Sequence, residues 1–431
     1  MKRSLLCLLS SLVVWSSPSS GAPGEADWRK VDELIEKQEP KSAIAALAPL
    51  EAAALAEKAW PEAARAMAMR ILIESALEQD KPEGRIVRME AALAGAPQEM
   101  LPVLQTLSAN WFYEYFQENK WAIMQRTAGG AGKDVAAWDL KRLLAETDAR
   151  FQKALSAAPV LRQTPIAKWD GLLPAGKLPD LYQPTLYDFV AREALAFYTM
   201  AEQAGAAEQN AFEFDEKSAA LGTLEEFLAW KPGQGNSSKL QAIRLYQELL
   251  TFHKDDADPG ARALLDIERL EWAGETATGE GAAARARQQI GAIAQKVATH
   301  EVSLRAKSQV AAGLMHEHKH VEARKLLQEA VAAFDKSVFA PRARNLVKQI
   351  EGRELSAGTE LMWNAAQPEI SITSRNLKKA FFRLYLVSDK PDPAKVMSEW
   401  EDVDEEKVQR LIKAKPARSW EADLPGPDDF M

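Results

Sequence analysis

The sequence predicts a mainly α-helical protein, with a helical repeat solenoid over 23–352 followed by a partial antiparallel β-sandwich over 353–431. Three observations carry this. Between Asp27 and about Gly352 apolar residues recur at helical spacing, Ala and Leu dominate, and β-branched runs are almost absent. The helical stretches are joined by short polar turns, and each is too thin to bury its own apolar stripe, which argues for stacked antiparallel pairs. After Gly352 the apolar period changes from that of a helix to two. At 431 residues and 47% hydrophobic, the chain is long enough to bury a sizeable core.

The amino end comes first. Met1-Lys2-Arg3 leads into the apolar run Ser4 to Trp15, then into Ser16-Ser17-Pro18-Ser19-Ser20-Gly21-Ala22. A positive start, a short apolar stretch and a small-residue zone make a secretory signal peptide over 1–22. The run is shorter than the roughly 20 apolar residues of a spanning helix. Cys7 lies inside it with no room for a lipoprotein signal ahead, and it is the chain's only cysteine, so no internal disulfide can form. The mature chain is expected in the periplasm or cell envelope, or secreted, without a transmembrane span.

Helices follow at 40–58, with Ile44, Leu47, Leu50 and Leu55 along the buried stripe and a break or kink at Pro49, and at 61–79 behind Pro61. Further helices are expected at 85–95, 97–118, 136–158, 184–205, 219–229, 237–253, 258–272 and 283–298, with three pieces over 303–350. The clearest repeat unit is Gln309 to Phe334. Small Ala311, Ala312 and Gly313 precede Leu314, and after a charged turn come Ala323, Leu326, Ala330 and Phe334, the small/large alternation of a tetratricopeptide-like hairpin. Thr127 to Lys133 is glycine-rich, and Gln163 to Pro184 contains Pro165, Pro174 and Pro179, so neither is helical; the second reads as an inter-repeat connection or a wrapping loop. Strands are expected at 369–373 and 381–387, with Phe382, Leu384 and Leu386 on one side, Arg383 and Tyr385 on the other, and a basic turn at 375–379 between them.

The candidates for chemistry are few. With 62 acidic against 54 basic residues and a net charge of -8, the chain lacks the basic footprint of a nucleic-acid binder. His316-Glu317-His318-Lys319-His320 fits the H-E-x-x-H pattern of a zinc peptidase, which needs one unbroken helix, yet it falls where the repeat unit turns and no third ligand follows. As a His-x-His-x-His string it reads as a polar turn with incidental metal affinity. Gly279-Glu280-Gly281-Ala282-Ala283-Ala284 matches a loose dinucleotide fingerprint, but a helix stands where that motif needs a strand. Asp255-Asp256 and Asp428-Asp429 read as solvated loop carboxylates. Trp111, Phe112, Tyr113, Tyr115, Phe116 and Trp121 would suit a binding platform but recur at helical spacing, so core is the working reading. No residue is assigned as catalytic, cofactor-binding or metal-ligating, no cofactor is expected, and the protein is read as non-enzymatic.

Several phrases carry a family resemblance beyond periodicity. They are Trp121 to Ala128 with Trp138-Asp139-Leu140; Pro184-Thr185-Leu186-Tyr187-Asp188-Phe189 with Ala191, Ala194 and Leu195; and Ala242 to Leu250 with Phe252-His253-Lys254-Asp255-Asp256. This ordered set resembles the amino-terminal helical region of large bacterial alpha-2-macroglobulin-like proteins. Gln349-Ile350-Glu351, Glu354-Leu355, Ser374-Arg375-Asn376-Leu377 and Phe382-Arg383-Leu384-Tyr385 resemble the opening of that family's first macroglobulin-like domain, and Trp420 to Pro425 with Asp428-Asp429-Phe430 its continuation.

The resemblance implies a secreted protease-trapping inhibitor family, cut in a bait region and often armed with a Cys-Gly-Glu-Gln thioester. This sequence contains no such motif, so no functional residue of the family maps onto it. The expectation is a truncated or split protein: helical scaffold or docking region, plus an incomplete sandwich, with proteins as partners. The rival expectation is a free-standing periplasmic tetratricopeptide-like adaptor.

Overall fold

The computed structural model describes residues 25–77, 83–126, 132, 134–170, 172, 178–200, 212–359, 369–385, 405, 409, 412–424 and 430. The expected signal peptide at 1–22 lies outside them, as do most of the glycine-rich loop, residues 78–79, 201–205 and 386–387, and Asp428 and Asp429. Among the described residues helices dominate, and a small antiparallel strand region follows at the carboxyl-terminal end. Among the described residues no helix is long and apolar enough to cross a membrane.

The chain divides into two compact units, Met1–Val302 and Ser303–Met431. The first begins with α1 (Glu25–Glu36), α2 (Pro40–Ala56), α3 (Trp60–Leu77), α4 (Gly84–Gly95), α5 (Leu101–Glu118) and the short α6 (Lys120–Met124). It continues with α7 (Leu140–Leu155), α8 (Ala158–Leu161), α9 (Leu186–Tyr198), α10 (Leu224–Ala229), α11 (Ser238–Phe252), α12 (Gly260–Thr276) and α13 (Ala282–Lys296). The division falls at the first residues of α14 (Val302–His316), which is followed by α15 (His320–Ala333) and α16 (Ala340–Glu351). The strands are β1 (Glu354–Thr359), β2 (Ile370–Arg375), β3 (Lys379–Leu384) and β4 (Arg418–Asp423).

Among the described residues, four α-helices open on a side-chain cap. Asp139 accepts from the Arg142 N–H at 2.9 Å to open α7, and Ser237 accepts from Leu240 to open α11. Reciprocal capping boxes open α9 (Thr185 with Asp188) and α10 (Thr223 with Glu226). Several expected helices are shorter than the periodicity implies. The 97–118 helix begins at Leu101, the 136–158 helix splits into a 3₁₀ turn at Val135–Ala137 and α7, and 219–229 splits at Gly222, because the Asp139 and Thr223 caps restart the chain. Within 184–205, α9 stops at Tyr198. The helix α1 has no separate counterpart among the helices expected from sequence.

Three helix–helix junctions share one design. In α1–α2, α2–α3 and α14–α15 the residue past the helix end, Gln38, Lys58 or His318, is left-handed at φ 59, 59 and 61°. Each N–H after it closes on the carbonyl five residues back: Glu39 on Leu34 at 2.9 Å, Ala59 on Ala54 at 2.9 Å, Lys319 on Leu314 at 2.8 Å. This is the Schellman arrangement, built without glycine. Around it, Val31, Ala43 and Leu47 in the first unit and Ala311, Ala323 and Leu327 in the second are all fully buried at matching positions. Small residues at Ala43, Ala63 and Ala323 let the paired helices approach, while Leu47, Met67 and Leu327 fill the space one turn later.

The core of the first unit runs from Ala54 to Ala286, with a smaller cluster of Trp28, Val31, Ala43, Leu47, Ala66, Met69 and Ile73 at its amino end. The described residues of the Gln163–Pro184 connection include a packed set: Ile166, Trp169, Leu172 and Tyr182 are buried, and Pro165 bridges to Thr185. Its two 3₁₀ turns, Ile166–Trp169 and Asp180–Tyr182, supply local hydrogen bonding where proline forbids helix.

In the second unit β1 pairs with β2, and β3 with β4, as two antiparallel ribbons. The helix-to-strand change lies between Glu351 and Glu354, as expected, although β1 carries no alternating pattern of its own. Asn376, left-handed at φ 56°, ties the turn after β2 to the end of α16 by donating to the Ile350 and Gly352 carbonyls, both at 2.7 Å. Phe382 stacks on its cross-strand partner Trp420 at 5.2 Å, but Phe381 on the opposite face is 74% exposed.

The glycine-free Schellman turns make a prediction. A non-glycine residue in the left-handed region costs roughly 1 kcal/mol. Gln38→Gly and Lys58→Gly should therefore each raise stability by about 0.5–1 kcal/mol, read as a higher urea midpoint with unchanged slope. A lower midpoint would contradict the assigned turn geometry.

Candidate functional site

The H-E-x-x-H candidate is split by a turn. His316 ends α14, Glu317, His318 and Lys319 form the Schellman turn, and His320 begins α15, so the two terminal histidines do not share a helical face. Among the described residues no group of three or more His, Cys, Asp or Glu is arranged to hold a metal ion. The glycine pair at 279–281 follows helix α12, as the sequence implies, and its anion position is filled from within. Glu216 Oε2 accepts from the Gly281 N–H at 2.7 Å, and Arg285 donates to the Glu216 carbonyl at 2.6 Å. A Cβ at Gly281 would stand 2.7 Å from the same Oε2, so glycine here lets an internal carboxylate approach the backbone closely. Trp111, Phe112, Tyr115 and Phe116 are core, whereas Trp121 is 83% exposed.

The most developed polar arrangement is not one that the sequence singles out as a site. Asp188, in the first turn of α9, is fully buried. Its Oδ2 accepts from the Thr185 N–H at 2.9 Å and the Thr185 hydroxyl at 2.7 Å, and its Oδ1 lies 2.6 Å from His253 Nε2. The opposite ring nitrogen, Nδ1, lies 2.6 Å from Asp256 Oδ2. A carboxylate at each nitrogen means that both nitrogens donate, which is the imidazolium form. Of the two loop carboxylates at 255–256, Asp255 is solvated as expected and Asp256 is not free, because it closes this network.

Electrostatics agree with the geometry. Burial alone pushes His253 toward neutrality, but the hydrogen bonds and charges of Asp188 and Asp256 outweigh it, and the net direction is upward from 6.5. His253 is only 2% exposed and both its nitrogens are occupied. The arrangement therefore holds charge in place and does not offer a nitrogen to a bound molecule.

Further pairs extend this polar seam. Tyr187 lies between Arg162, which donates to its hydroxyl at 3.1 Å and sits 4.4 Å over its ring, and Glu248, which accepts from it at 3.0 Å. Burial is the main cause that pushes its phenol up to about 12. Buried Tyr182 donates to Glu301 at 2.7 Å, and burial together with that carboxylate raises its phenol far above the ordinary value. His300 stands edge-on to Tyr182 and 3.3 Å from Asp258. The sequence signal that could have located the seam is the Thr-x-x-Asp cap at 185–188, which marks a helix start holding an acid in a buried first turn.

No family model, curated protein or solved structure matches the chain.

The His253 network makes a pH-dependent prediction. Because its folded value is raised, its contribution to stability is fully present below the unfolded imidazole's value near 6.5 and is lost as pH rises through the folded value. The stability difference between the parent and His253→Gln, from urea unfolding, should shrink as pH rises above 6.5. The ring protons of His253 should report an NMR titration above 6.5, and a midpoint below it would contradict the imidazolium assignment.

Proposed function

We propose that this chain is the secreted, non-enzymatic amino-terminal segment of an alpha-2-macroglobulin-like protein. Its helical region is a repeat solenoid that scaffolds or docks protein partners, and its strand region belongs to a macroglobulin-like β-sandwich. The observation that carries this reading is the pairing in space of the phrases behind the resemblance. Asp188 of the 184–189 phrase meets His253 of the 252–256 phrase. Asn376 of the 374–377 phrase meets Ile350 of the 349–351 phrase. Phe382 of the 382–385 phrase meets Trp420 of the last. An ordered set of phrases is a stronger signature when its members are mutual contacts, because such residues are constrained together.

The strand ribbons support the sandwich component. Leu355, Ile370, Phe381, Leu384 and Trp420 leave large apolar surface exposed, and an isolated two-stranded ribbon is marginally stable in water. Further strands covering these side chains would satisfy both needs.

The second reading, a free-standing periplasmic adaptor of tetratricopeptide type, is favoured by the junction shared between α1–α2 and α14–α15, which needs no strand domain to explain it. In either reading protease trapping is not assigned to these residues.

Two outcomes are expected. Purified chain added to a protease should leave the cleavage of a large protein substrate at its unassisted rate; strong protection would overturn the division of labour proposed. Expressed with its leader in a Gram-negative host, the chain should appear outside the cytoplasm with a mature amino terminus near Pro23; a cytoplasmic product that keeps Lys2 and Arg3 would contradict export.

A further inference from the structure

The α14–α15 turn carries three of the protein's five histidines, His316, His318 and His320, within five residues. The fold does not call for them there. The α1–α2 junction makes the same turn with Glu36, Gln38 and Pro40 in those places, and its left-handed residue has nearly the same φ, 59° against 61°. Whatever the imidazoles do, they are surplus to the turn.

Two of the rings are close neighbours. The rings of His318 and His320 lie 6.3 Å apart, edge to face. Two imidazoles bound through nitrogen to one tetrahedral ion at about 2.0–2.1 Å have ring centres about 5 Å apart, so the exposed His318 ring must move about 1 Å toward His320 to share an ion with it. His320 Nδ1 is shielded from solvent and has no hydrogen-bond partner, and coordination is one way to satisfy that nitrogen. His316 and His318 are exposed, so their side chains reorient on the nanosecond scale. The backbone beneath them is fixed by the bonds from Glu317 N to Gly313 O at 3.1 Å, His318 N to Met315 O at 3.0 Å, and Lys319 N to Leu314 O at 2.8 Å. Lys319, the cation inside the string, is paired with Glu317 at 2.9 Å, which offsets its repulsion of an incoming ion.

We propose that this turn is a binding site for one divalent transition-metal ion of the imidazole-preferring class, zinc, nickel or copper. His318 and His320 hold the ion, and His316 swings in as a third ligand. The site is non-catalytic: it lies on an exposed turn, and the H-E-x-x-H helix that would place a general base beside the ion is broken at His318. It is independent of the macroglobulin-like reading above.

The test is isothermal titration calorimetry of the untagged full chain with zinc chloride and, separately, nickel chloride at pH 7.5. One equivalent should bind. His320→Ala, and His318→Asn, which keeps a residue suited to the left-handed conformation, should each weaken binding at least tenfold while far-ultraviolet circular dichroism stays unchanged. Binding should also weaken at pH 5.5, because protons compete with the metal ion for its nitrogen ligands. Absence of saturable binding, or equal affinity in the variants, overturns the proposal; the latter would place the ion on surface carboxylates.

Discussion

The carboxylate of Asp188 is the constraint on which the middle of the first unit depends. A buried charge without partners is expensive, and Asp188 is fully buried, so its surroundings must supply donors. They come from three directions: the Thr185 backbone and hydroxyl, which start α9, and the His253 ring, which ends α11. Asp256 then fixes the far side of that ring and with it the approach to α12. Two helices and the lead-in to a third are thus oriented around one ionised group. The proline-rich connection is drawn in by the same hub, since Leu186 N bonds to Thr164 O at 2.8 Å and Ile166 N to Pro184 O at 3.0 Å.

A second buried charge has a similar role in the neighbouring layer. Arg269 on α12 is fully buried and spends its donors on Asp266, one turn earlier, and on the Ala220 and Gly222 carbonyls. Those carbonyls belong to the 3₁₀ turn and the extended residue before α10, where no helix can satisfy them. Arg269 also lies 4.4 Å over the Phe227 ring, so the guanidinium is both hydrogen-bonded and stacked. Charge is used here to set the geometry of irregular backbone, and replacing either partner alone would leave the other buried and unpaired.

Much of the helical architecture is legible in the sequence because it is local. The small residue at Ala323, the turn at His318, and the helix-to-strand change after Glu351 all follow from periodicity and turn chemistry, but the large residue that is buried one turn after Ala323 is Leu327 and not the expected Leu326. What is not legible is what depends on distant pairing. Asp256 reads as a loop acid until His253 is seen beside it, and the polar turn read at Gly281 gives no sign that Glu216, far away in sequence, accepts from its N–H. Strand β1 escapes a reading by pattern because Ser356, Ala357 and Gly358 have little strand character of their own and are held by pairing with β2. The helix breaks at Asp139 and Thr223 are hidden from periodicity because capping side chains win over continuous apolar spacing.

The functional proposal leans on the same long-range contacts, since three pairs of the phrases quoted from the sequence hold residues that meet: Asp188 with His253, Asn376 with Ile350 and Phe382 with Trp420. The account's central claim is that Asp188, His253 and Asp256 act as one charged unit. A double-mutant cycle of Asp188→Asn and Asp256→Asn, by urea unfolding at pH 6, tests it most directly, because the two acids touch only through the imidazolium. The account predicts a coupling energy of about 1 kcal/mol or more between the two sites; strictly additive losses would contradict it.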